Sequence, residues 1–378
     1  METHVERQTP IKGGAHSRTE KKKENEDDAY LCAVLLCFSR VLPAVLNAAV
    51  DINLFDIIAK AKSSCDSSLS ASEIASLLPN QHPQLANRLE RMLPLLASYS
   101  LFDCSIRTNE DGKRERVYSL SPVGQYFAFD KDDGSSLAPL QTLIHSGFHD
   151  IWKDVKDAIV DHDNNIHFQN VHGMPLYDYT EKNAELNHIF HKAGTHYAPI
   201  ELKKILKSYK GFEGLSTLVD VGGGLGDTLK QILVAYPSIK GINFDLPQMI
   251  QNASPHPGIE HIGGDMFKSV PSGDAILLKF VCRNWPDKDC IKFLKICHKA
   301  LPQHGKVIVM DYIIPNVPNS SYISKHTCTV DNVMFLAHDG RGRTENEFKN
   351  LCKSSGFSKF HVGSSDISIT LGVMEFYK

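Results

Sequence analysis

The chain has 378 residues, of which 42% are hydrophobic and 22% charged, and its formal net charge is −3. This composition is ordinary for a globular protein, and the slightly acidic balance argues against a nucleic-acid-binding surface. The longest apolar run, residues 29–38, is too short to cross a bilayer, so we expect no membrane association.

Nine cysteines are scattered along the chain without a Cys-x-x-Cys pair or a histidine spacing that suits a metal, so no metal site is predicted. Residues 1–28 are polar, with lysines followed by acids, and lack the apolar segment of a secretory signal. We interpret them as a disordered tail. Scattered thiols without a signal indicate a reducing compartment, which predicts a cytoplasmic location.

The next segment, residues 29–62, is strongly apolar and predicts consecutive helices that break near Pro43. A surface this apolar is either core or a dimer interface, and we predict a homodimer. A capped helix start at Ser70–Ile74, a helix at 83–98 and two strands at 101–106 and 116–120 then follow in winged-helix order.

This N-terminal domain, placed at residues 29–140, is not basic, and its second helix carries only two arginines as cations. The pattern therefore favours dimerisation or substrate closure over DNA binding. Residues 141–210 are predicted to be mainly helical, at about 151–159 and 184–206. The segment 161–179 between them, rich in His, Asn and aromatic residues, is either a pocket wall or a plain loop.

From residue 211 to the end, strands and helices alternate around a glycine-rich turn. The apolar strand 218–221 leads into Gly222, Gly224 and Gly226, and a helical pattern follows. A dinucleotide fingerprint would need glycine at position 227, where this chain has Asp227. The spacing therefore favours a nucleoside ligand without a pyrophosphate, such as S-adenosylmethionine.

Acids and a lysine follow the next strands. Asp245 ends the strand 242–246, nineteen residues after the last glycine, where a carboxylate can accept both ribose hydroxyls. Asp265 and Met266 follow the strand 259–262 and suit an adenine, and Lys279 lies in the strand 275–280. A fifth strand is predicted at 306–310, and two final β-like runs at 357–362 and 367–377 predict an antiparallel hairpin at the sheet edge.

From residue 29 to residue 378 the chain resembles the plant phenolic O-methyltransferases of the caffeic-acid and flavonoid type. The motifs are LVDVGGGLG (218–226), GINFDLP (241–247), GGDMF (263–267), DAILLKFVCRNW (274–285), GKVIVMDYIIP (305–315) and MEFYK (374–378). The resemblance implies an α/β fold: a Rossmann-like class I S-adenosylmethionine-dependent methyltransferase domain with an N-terminal, α-helical, winged-helix-like dimerisation domain. It also implies a homodimer and a small aromatic or alkaloid-like substrate.

The same resemblance implies the binding residues. The cofactor positions are Gly222, Gly224, Asp245, Leu246, Asp265, Met266 and Lys279. The substrate positions are Phe190, Gly194, Trp285 and Met334. Gly194 stands near the place where the family has a methionine over the substrate ring.

The catalytic positions depart from the family. Arg283 stands where the family has its histidine base, Asp311 matches the first supporting acid, and Gly342 stands where the second acid belongs. A histidine with a pKa near ~6.5 can take a phenolic proton, whereas arginine remains protonated and cannot. We expect Arg283 to pair with Asp311 as a structural ion pair in any case. The sharper interpretation is that its guanidinium binds an anionic group of the substrate.

Three functions stay open on these residues. The first is a methyltransferase without the histidine base, with Arg283 and Asp311 at the catalytic positions, in which alignment supplies most of the catalysis. The second is a methyltransferase-fold cyclase, isomerase or lyase that keeps the cofactor as a fixed positive charge. The third is a non-catalytic partner of an active relative. The cofactor motifs favour the first two, and family membership places the first slightly ahead.

Overall fold

The computed structural model describes residues 16–61, 68–79, 82–160, 166–338, 340–364 and 371–378, with side chains from residue 26 onward. The chain divides into two units, Met1–Gln125 and Tyr126–Lys378. The first unit ends fifteen residues before the domain limit that the sequence predicts at residue 140.

The first unit is a set of helices with a small antiparallel sheet. Its described helices are α1 (His16–Cys37), α2 (Val41–Asp51), α3 (Leu54–Ala61), α4 (Ala71–Leu77) and α5 (Leu85–Ser98). Its strands are β1 (Leu69–Ser70), β2 (Phe102–Thr108) and β3 (Arg114–Leu120), in the order β1-β3-β2. A 3-10 turn follows at Gly124–Tyr126. The predicted winged-helix-like order is present.

The start of α4 follows from its sequence. The Ser70 side chain accepts the N–H of Glu73 at 3.3 Å, and the Glu73 carboxylate accepts the N–H of Ser70 at 2.6 Å. This capping box satisfies two N–H groups that the first helical turn leaves unpaired.

Two features of the N-terminal segment differ from the sequence-based prediction. The break between the first helices lies at residues 38–40, whereas Pro43 is in the first turn of α2, where its missing N–H leaves no bond unmade. Helix α1 begins at His16, inside the segment predicted as a disordered tail, and residues 1–15 lie outside the described residues. In this single chain the apolar side chains of α1 are exposed, with Tyr30 at 68% and Leu36 at 69%.

The second unit begins with a helical segment. Its α-helices are α6 (Ala138–Thr142), α7 (Val155–Val160), α8 (His167–His172), α9 (Leu176–Lys182) and α10 (Ala184–Ser208). A π-helical turn at Leu143–Gly147 and a 3-10 turn at Asp150–Trp152 lie between α6 and α7. The predicted segment 161–179 thus contains α8 and part of α9, while residues 161–165 lie outside the described residues.

The seven-stranded sheet follows. Its strands are β4 (Thr217–Val221), β5 (Lys240–Asp245), β6 (Ile259–Gly263), β7 (Ala275–Lys279), β8 (Lys306–Tyr312), β9 (Lys359–Ser364) and β10 (Leu371–Tyr377). The accompanying helices are α11 (Asp227–Ala235), α12 (Pro247–Ile250), α13 (Asp287–Ala300), α14 (Tyr322–His338) and α15 (Glu345–Ser354).

The strand order is β6-β5-β4-β7-β8-β10-β9. Strands β4 to β8 pair in parallel, while β10 runs antiparallel to β8 and β9. This is the predicted doubly wound sheet with an antiparallel edge hairpin. The order reverses between β4 and β7, which places a ligand crevice at their carboxyl ends.

Alternate side chains of each central strand enter two separate core clusters. In β7, Ile276 and Leu278 belong to one cluster and Ala275 and Leu277 to the other, and all four are fully buried. Burial on both faces explains the continuous apolar runs in the sequence.

The described helices differ in length and apolarity from a membrane span. No single helix there has the length and apolarity to cross a bilayer, although Glu26–Cys37 and Val41–Asp51, bent by 56°, pass as a pair on length and composition.

Candidate active site

Strand β4 ends in a turn that requires glycine for two reasons. Gly222, Gly224 and Gly226 have φ angles of +73°, +58° and +84°, which other residues adopt at a cost in free energy. At Gly223, an added Cβ would lie only 2.8 Å from the carboxyl carbon of Asp220. The turn is therefore closely packed against Asp220, while a Cβ at Gly224 would meet no atom of the described residues within 4 Å, which leaves space for a ligand there.

Asp245, at the end of β5, is fixed by this turn. Its Oδ2 accepts the N–H of Gly224 at 2.8 Å, and its Oδ1 accepts the N–H of Leu246 at 2.7 Å. Asn243 also holds the turn, because its Nδ2 donates to the Gly224 carbonyl at 2.9 Å. Each carboxylate oxygen of Asp245 can accept a further hydrogen bond, so Asp245 is both oriented and able to bind hydroxyl groups.

The loop after β6 lies next to Asp245, since the N–H of Gly264 donates to the Asp245 carbonyl at 2.9 Å. Asp265 Oδ1 accepts the N–H of Phe267 at 2.9 Å, and this bond lowers the pKa of the Asp265 carboxyl. Met266 packs partly buried against the core, and Leu246 is 44% exposed. The predicted cofactor residues of β5 and β6 thus combine an anionic group with apolar surface at one edge of the sheet.

Asp220 and Lys279 are buried charges on the neighbouring strands β4 and β7. Asp220 is 1% exposed, and its Oδ2 has no hydrogen-bond partner among the described residues. Burial raises the pKa of Asp220 to about 7, although the positive charge of Lys279 acts in the opposite direction. Burial lowers the pKa of Lys279, against the effect of nearby negative charges. Lys279 was predicted as a cofactor residue, but Asp220 was not. The sign of Asp220 in the sequence is an acid inside an apolar strand.

The chain leaves β7 through a strained residue. Phe280 has a φ of +60°, which is unusual for an aromatic residue. The Arg283 guanidinium carbon then lies 4.0 Å from the centroid of the Phe280 ring and 5.5 Å from that of Tyr312. Its Nε and Nη1 are buried and have no hydrogen-bond partner in the described part of the chain. A permanent positive charge therefore packs beside two aromatic rings, with donors left for a ligand.

The predicted ion pair between Arg283 and Asp311 is wrong. Among the described residues, the Asp311 carboxylate forms no ion pair with the guanidinium; it accepts two backbone N–H groups, of Arg283 at 3.2 Å and of Tyr312 at 2.9 Å. Asp311 is 1% exposed, and burial raises its pKa. The carboxylate thus orients the backbone of the turn, and this leaves the Arg283 side chain directed elsewhere.

Arg343 also holds this turn, and it was not predicted from the sequence. Its side chain is fully buried and donates to the carbonyls of Cys282 and Trp285, each at 2.7 Å, and to the Asp287 carboxylate at 2.8–2.9 Å. The bonds fix residues 282–287, and so the position of Arg283. Nothing in the local sequence indicates which of the two arginines near residue 342 is buried.

The helical segment supplies a wall of aromatic side chains. The Tyr177 ring lies 5.1 Å from that of His338 and 6.4 Å from that of Phe190, yet Tyr177 is 52% exposed, as expected for a side chain that lines a recess. Desolvation raises the pKa of Tyr177, while the charge of Arg283 acts to lower it and that of Asp245 to raise it. An added Cβ at Gly194 would meet no atom within 4 Å, so space remains there.

The other two predicted substrate residues lie on different elements. Met334 of α14 is buried, and its carbonyl accepts the N–H of Gly340 at 3.1 Å. The next N–H along the chain, that of Arg341, donates to the Arg283 carbonyl. Trp285 packs against Phe267 with a centroid distance of 4.8 Å. The structure therefore places Trp285 with the loop that follows β6 rather than with the aromatic wall.

A buried carboxylate lies behind Tyr312. Glu201 of α10 is 5% exposed, and its Oε1 accepts the hydroxyl of Tyr197 at 2.7 Å and that of Tyr312 at 3.0 Å. The two hydroxyls lie 3.0 Å apart. His326 of α14 contacts the Tyr312 ring edge-on at 5.0 Å, and its buried Nδ1 has no hydrogen-bond partner among the described residues. Sequence analysis gave no sign of this group, which three distant segments form together.

Comparison with known proteins identifies the family. The model of the O-methyltransferase domain matches residues 152–358, and that of the O-methyltransferase dimerisation domain matches residues 34–130. The chain is 45% identical over 350 residues to a flavonoid 3'-O-methyltransferase of Chrysosplenium americanum. The aligned region covers 92% of this chain and 98% of that protein. The chain is also 45% identical over 341 residues to caffeic acid 3-O-methyltransferase 1 of Populus tremuloides, with 89% and 92% covered.

Among solved structures, human N-acetylserotonin methyltransferase in complex with S-adenosylmethionine matches with a TM-score of 0.76 and 19% identity, over 93% of this chain and 97% of that one. At that identity the likeness shows the fold alone. The chain belongs to the O-methyltransferase family and carries its dimerisation domain. The predicted fold class and methyltransferase class are confirmed, and with them S-adenosylmethionine as the cofactor of the family. The individual site residues remain predictions.

Proposed function

We propose that this protein transfers a methyl group from S-adenosylmethionine to a small aromatic or alkaloid-like plant metabolite, without a histidine base at position 283. The named relatives act on caffeic acid and flavonoids, which supports a phenolic acceptor. We further propose that the enzyme works as a homodimer in the cytoplasm. The dimerisation domain and the exposed apolar face of α1 support the dimer.

The residues at the carboxyl ends of β4 to β7 fit S-adenosylmethionine. The glycine turn leaves room for the ligand, Asp245 can accept the ribose hydroxyls, and Asp265 with Leu246 and Met266 suits an adenine. The unpaired buried oxygen of Asp220 fits the ligand's ammonium group, because a buried carboxylate gains most from a cationic partner. When bound, the cofactor supplies an electrophilic methyl group on a positively charged sulfur.

The residues of the acceptor side would hold the substrate. We assign Phe190, Tyr177 and Met334 to the wall that packs on an aromatic ring, and the open space at Gly194 to the ring itself. Trp285 contacts Phe267 and would act on the cofactor side instead. Asp311 would act by orienting the turn that carries Arg283 rather than as a direct partner of the guanidinium.

One observation carries the proposal for Arg283: its guanidinium packs beside the rings of Phe280 and Tyr312, and two of its nitrogens are buried and have no hydrogen-bond partner among the described residues. A buried cation of this kind is stabilised by an anion. We therefore propose a substrate that is acidic or becomes negative during reaction, such as a phenolate or an aromatic carboxylate. Arg283 would lower the pKa of a bound phenol and align it, which replaces part of what a histidine base does.

The test is methyl transfer from labelled S-adenosylmethionine to a panel of phenols, aromatic acids and amines, with unlabelled products also followed by mass spectrometry. We expect Arg283→Ala to lose roughly 30- to 1,000-fold in kcat/KM, about 2–4 kcal/mol of transition-state stabilisation. Arg91→Ala, which removes an exposed arginine of the first unit, is the control. Full activity of Arg283→Ala would make the arginine structural. Turnover of an acceptor without methylated product would instead support a non-methylating enzyme on this fold.

The family's base can also be rebuilt. Arg283→His with Gly342→Glu restores a histidine and an acid, but a Cβ at position 342 would lie 2.6 Å from Cδ1 of Ile314. The variant therefore needs Ile314→Ala to make room. We expect this triple variant to methylate a simple catechol better than Arg283→His alone, because only the triple variant supplies the orienting carboxylate.

A further inference from the structure

The acceptor side of the crevice holds a histidine that the family motif does not account for. His326 lies on α14, edge-on to the Tyr312 ring at 5.0 Å, and the Arg283 guanidinium lies 5.5 Å from the centroid of that same ring. His326 and Arg283 therefore lie near the same Tyr312 ring, and Arg283 stands where the family has its base. Nδ1 of His326 is buried and has no hydrogen-bond partner among the described residues. A buried polar nitrogen left unpaired costs free energy, which a ligand that hydrogen-bonds to it would recover.

The charges around His326 come from two elements. Glu201 of α10 receives hydrogen bonds from the hydroxyls of Tyr197 and Tyr312, and Arg283 follows β7. Burial lowers the pKa of His326, the Glu201 charge acts to raise it and the Arg283 charge to lower it. His326 is therefore neutral at physiological pH, which is the form that can accept a proton. The Glu201 carboxylate would stabilise the imidazolium that results, as the acid of a histidine–acid pair does.

Other histidines of the second unit fit this role less well. Burial and the Arg283 charge lower the pKa of His338 to about 4, so it is a weak base. His172 and His196 also have a ring nitrogen without a hydrogen-bond partner among the described residues. However, His172 contacts Phe168 and Tyr179, and His196 contacts Phe129. In the described part of the chain, no acidic residue raises the pKa of His196, and only Asp150 does so for His172.

We propose that His326 is the proton acceptor of this enzyme, supported by Glu201, and that the pair takes the place of the histidine and acid missing at positions 283 and 342. The proposal rests on methyl transfer to a phenolic oxygen as the function. The O–H bond of the phenol breaks and its proton moves to Nδ1 of His326. The oxygen would keep the electron pair that forms its new bond to the methyl group. The bond between that methyl group and the cofactor sulfur would break with its electron pair left on sulfur, so that S-adenosylhomocysteine would be the other product. Arg283 stabilises the negative charge on the oxygen meanwhile.

The experiment compares His326→Gln and Glu201→Gln with His298→Gln as control. His298 is partly buried and contacts Phe357, which belongs to the core cluster that does not contain Tyr312. His298 is not among the residues assigned to the site. Each purified protein is assayed with two acceptors: a phenol that is protonated at the assay pH, and a nitrophenol that is already ionised. Cofactor affinity is measured by calorimetry on the same samples.

We expect His326→Gln to lose roughly 100-fold or more in kcat with the protonated phenol and less than about threefold with the ionised one. Glu201→Gln should show the same pattern with a smaller loss, since it acts through His326. In the wild type, kcat should fall as pH drops below the pKa of His326, and this acid limb should vanish in His326→Gln. His298→Gln should match the wild type throughout.

An equal loss of kcat with both acceptors would overturn the proposal, because a base is not needed for an ionised phenol and the effect would then be structural. Full activity of His326→Gln with the protonated phenol would overturn it as well. A wild-type protein that binds the cofactor but methylates neither acceptor, nor any other phenol, would contradict the proposed function itself.

Discussion

The two halves of the crevice are built in different ways. On the cofactor side, Gly222, Asp245 and Asp265 each follow directly from a strand, and backbone hydrogen bonds fix their positions. On the acceptor side, the groups around Tyr312 come from α10, α14 and the turn after β7, and side chains hold one another. A site fixed by backbone register tolerates little change in sequence. A site assembled from side chains can exchange its chemistry while the fold stays the same.

This contrast predicts that changes on the acceptor side act through the turn 282–287. Arg343→Met removes the bonds to the Cys282 and Trp285 carbonyls and to Asp287. Because two carbonyls lose their closest donor and the ion pair between the buried guanidinium and Asp287 is broken, we expect a loss of about 3–5 kcal/mol in the free energy of unfolding. Thermal unfolding should show a melting temperature roughly 10 °C lower.

The neighbouring arginine provides the control. Arg341 pairs with Glu347 at the surface, with about half of the arginine side chain exposed, so Arg341→Met should cost less than about 1 kcal/mol. Arg343→Met protein that remains folded at low temperature should bind the cofactor normally but have reduced kcat. If its cofactor affinity fell as much as its kcat, the two halves would not be separable.

On the cofactor side we predict that Gly222→Ala weakens cofactor binding by about 2–3 kcal/mol, or roughly 30- to 150-fold in Kd. The added Cβ would lie 2.9 Å from Val281 and impose strain at a φ of +73°. Gly214 is a matched control, because its φ is +77° and an added Cβ meets nothing within 4 Å. Gly214→Ala should show only the loss in stability that comes from the positive φ, without a change in Kd. Equal calorimetric affinities for both variants would contradict the role of the turn.

Much of the sheet could be predicted from sequence because its signals are local. The apolar runs of β4 to β8 and the glycine turn lie within ten-residue windows, and each acid follows its strand. The position of Pro43 was misjudged because proline in a first helical turn carries the same local signal as a helix break. The cluster of Glu201, Tyr312 and His326 could not be predicted, since residues more than a hundred positions apart meet there. The Arg283–Asp311 pair failed because complementary charge does not fix side-chain direction.

The last expected effect concerns Asp220, and it tests whether the cofactor side responds to pH. Burial raises the pKa of Asp220 from 3.8 to about 7. Between these values the folded chain holds a proton that the unfolded chain has released, so stability falls as pH rises through this range and is level above it. Asp220→Asn cannot ionise. It should match the wild type near pH 4 and be more stable by about 4 kcal/mol at pH 8, as measured by urea unfolding.

Cofactor affinity should change with pH in the opposite direction. The ionised carboxylate of Asp220 attracts the ammonium group of S-adenosylmethionine, so the wild type should bind more tightly as pH rises through 7, and Asp220→Asn should lack this dependence. The same group would thus weaken the fold and strengthen binding above neutral pH. If Asp220→Asn kept the wild-type pH dependence of Kd, the unpaired carboxylate would not be the ammonium site. The cofactor side would then owe its affinity to the glycine turn, Asp245 and Asp265 alone.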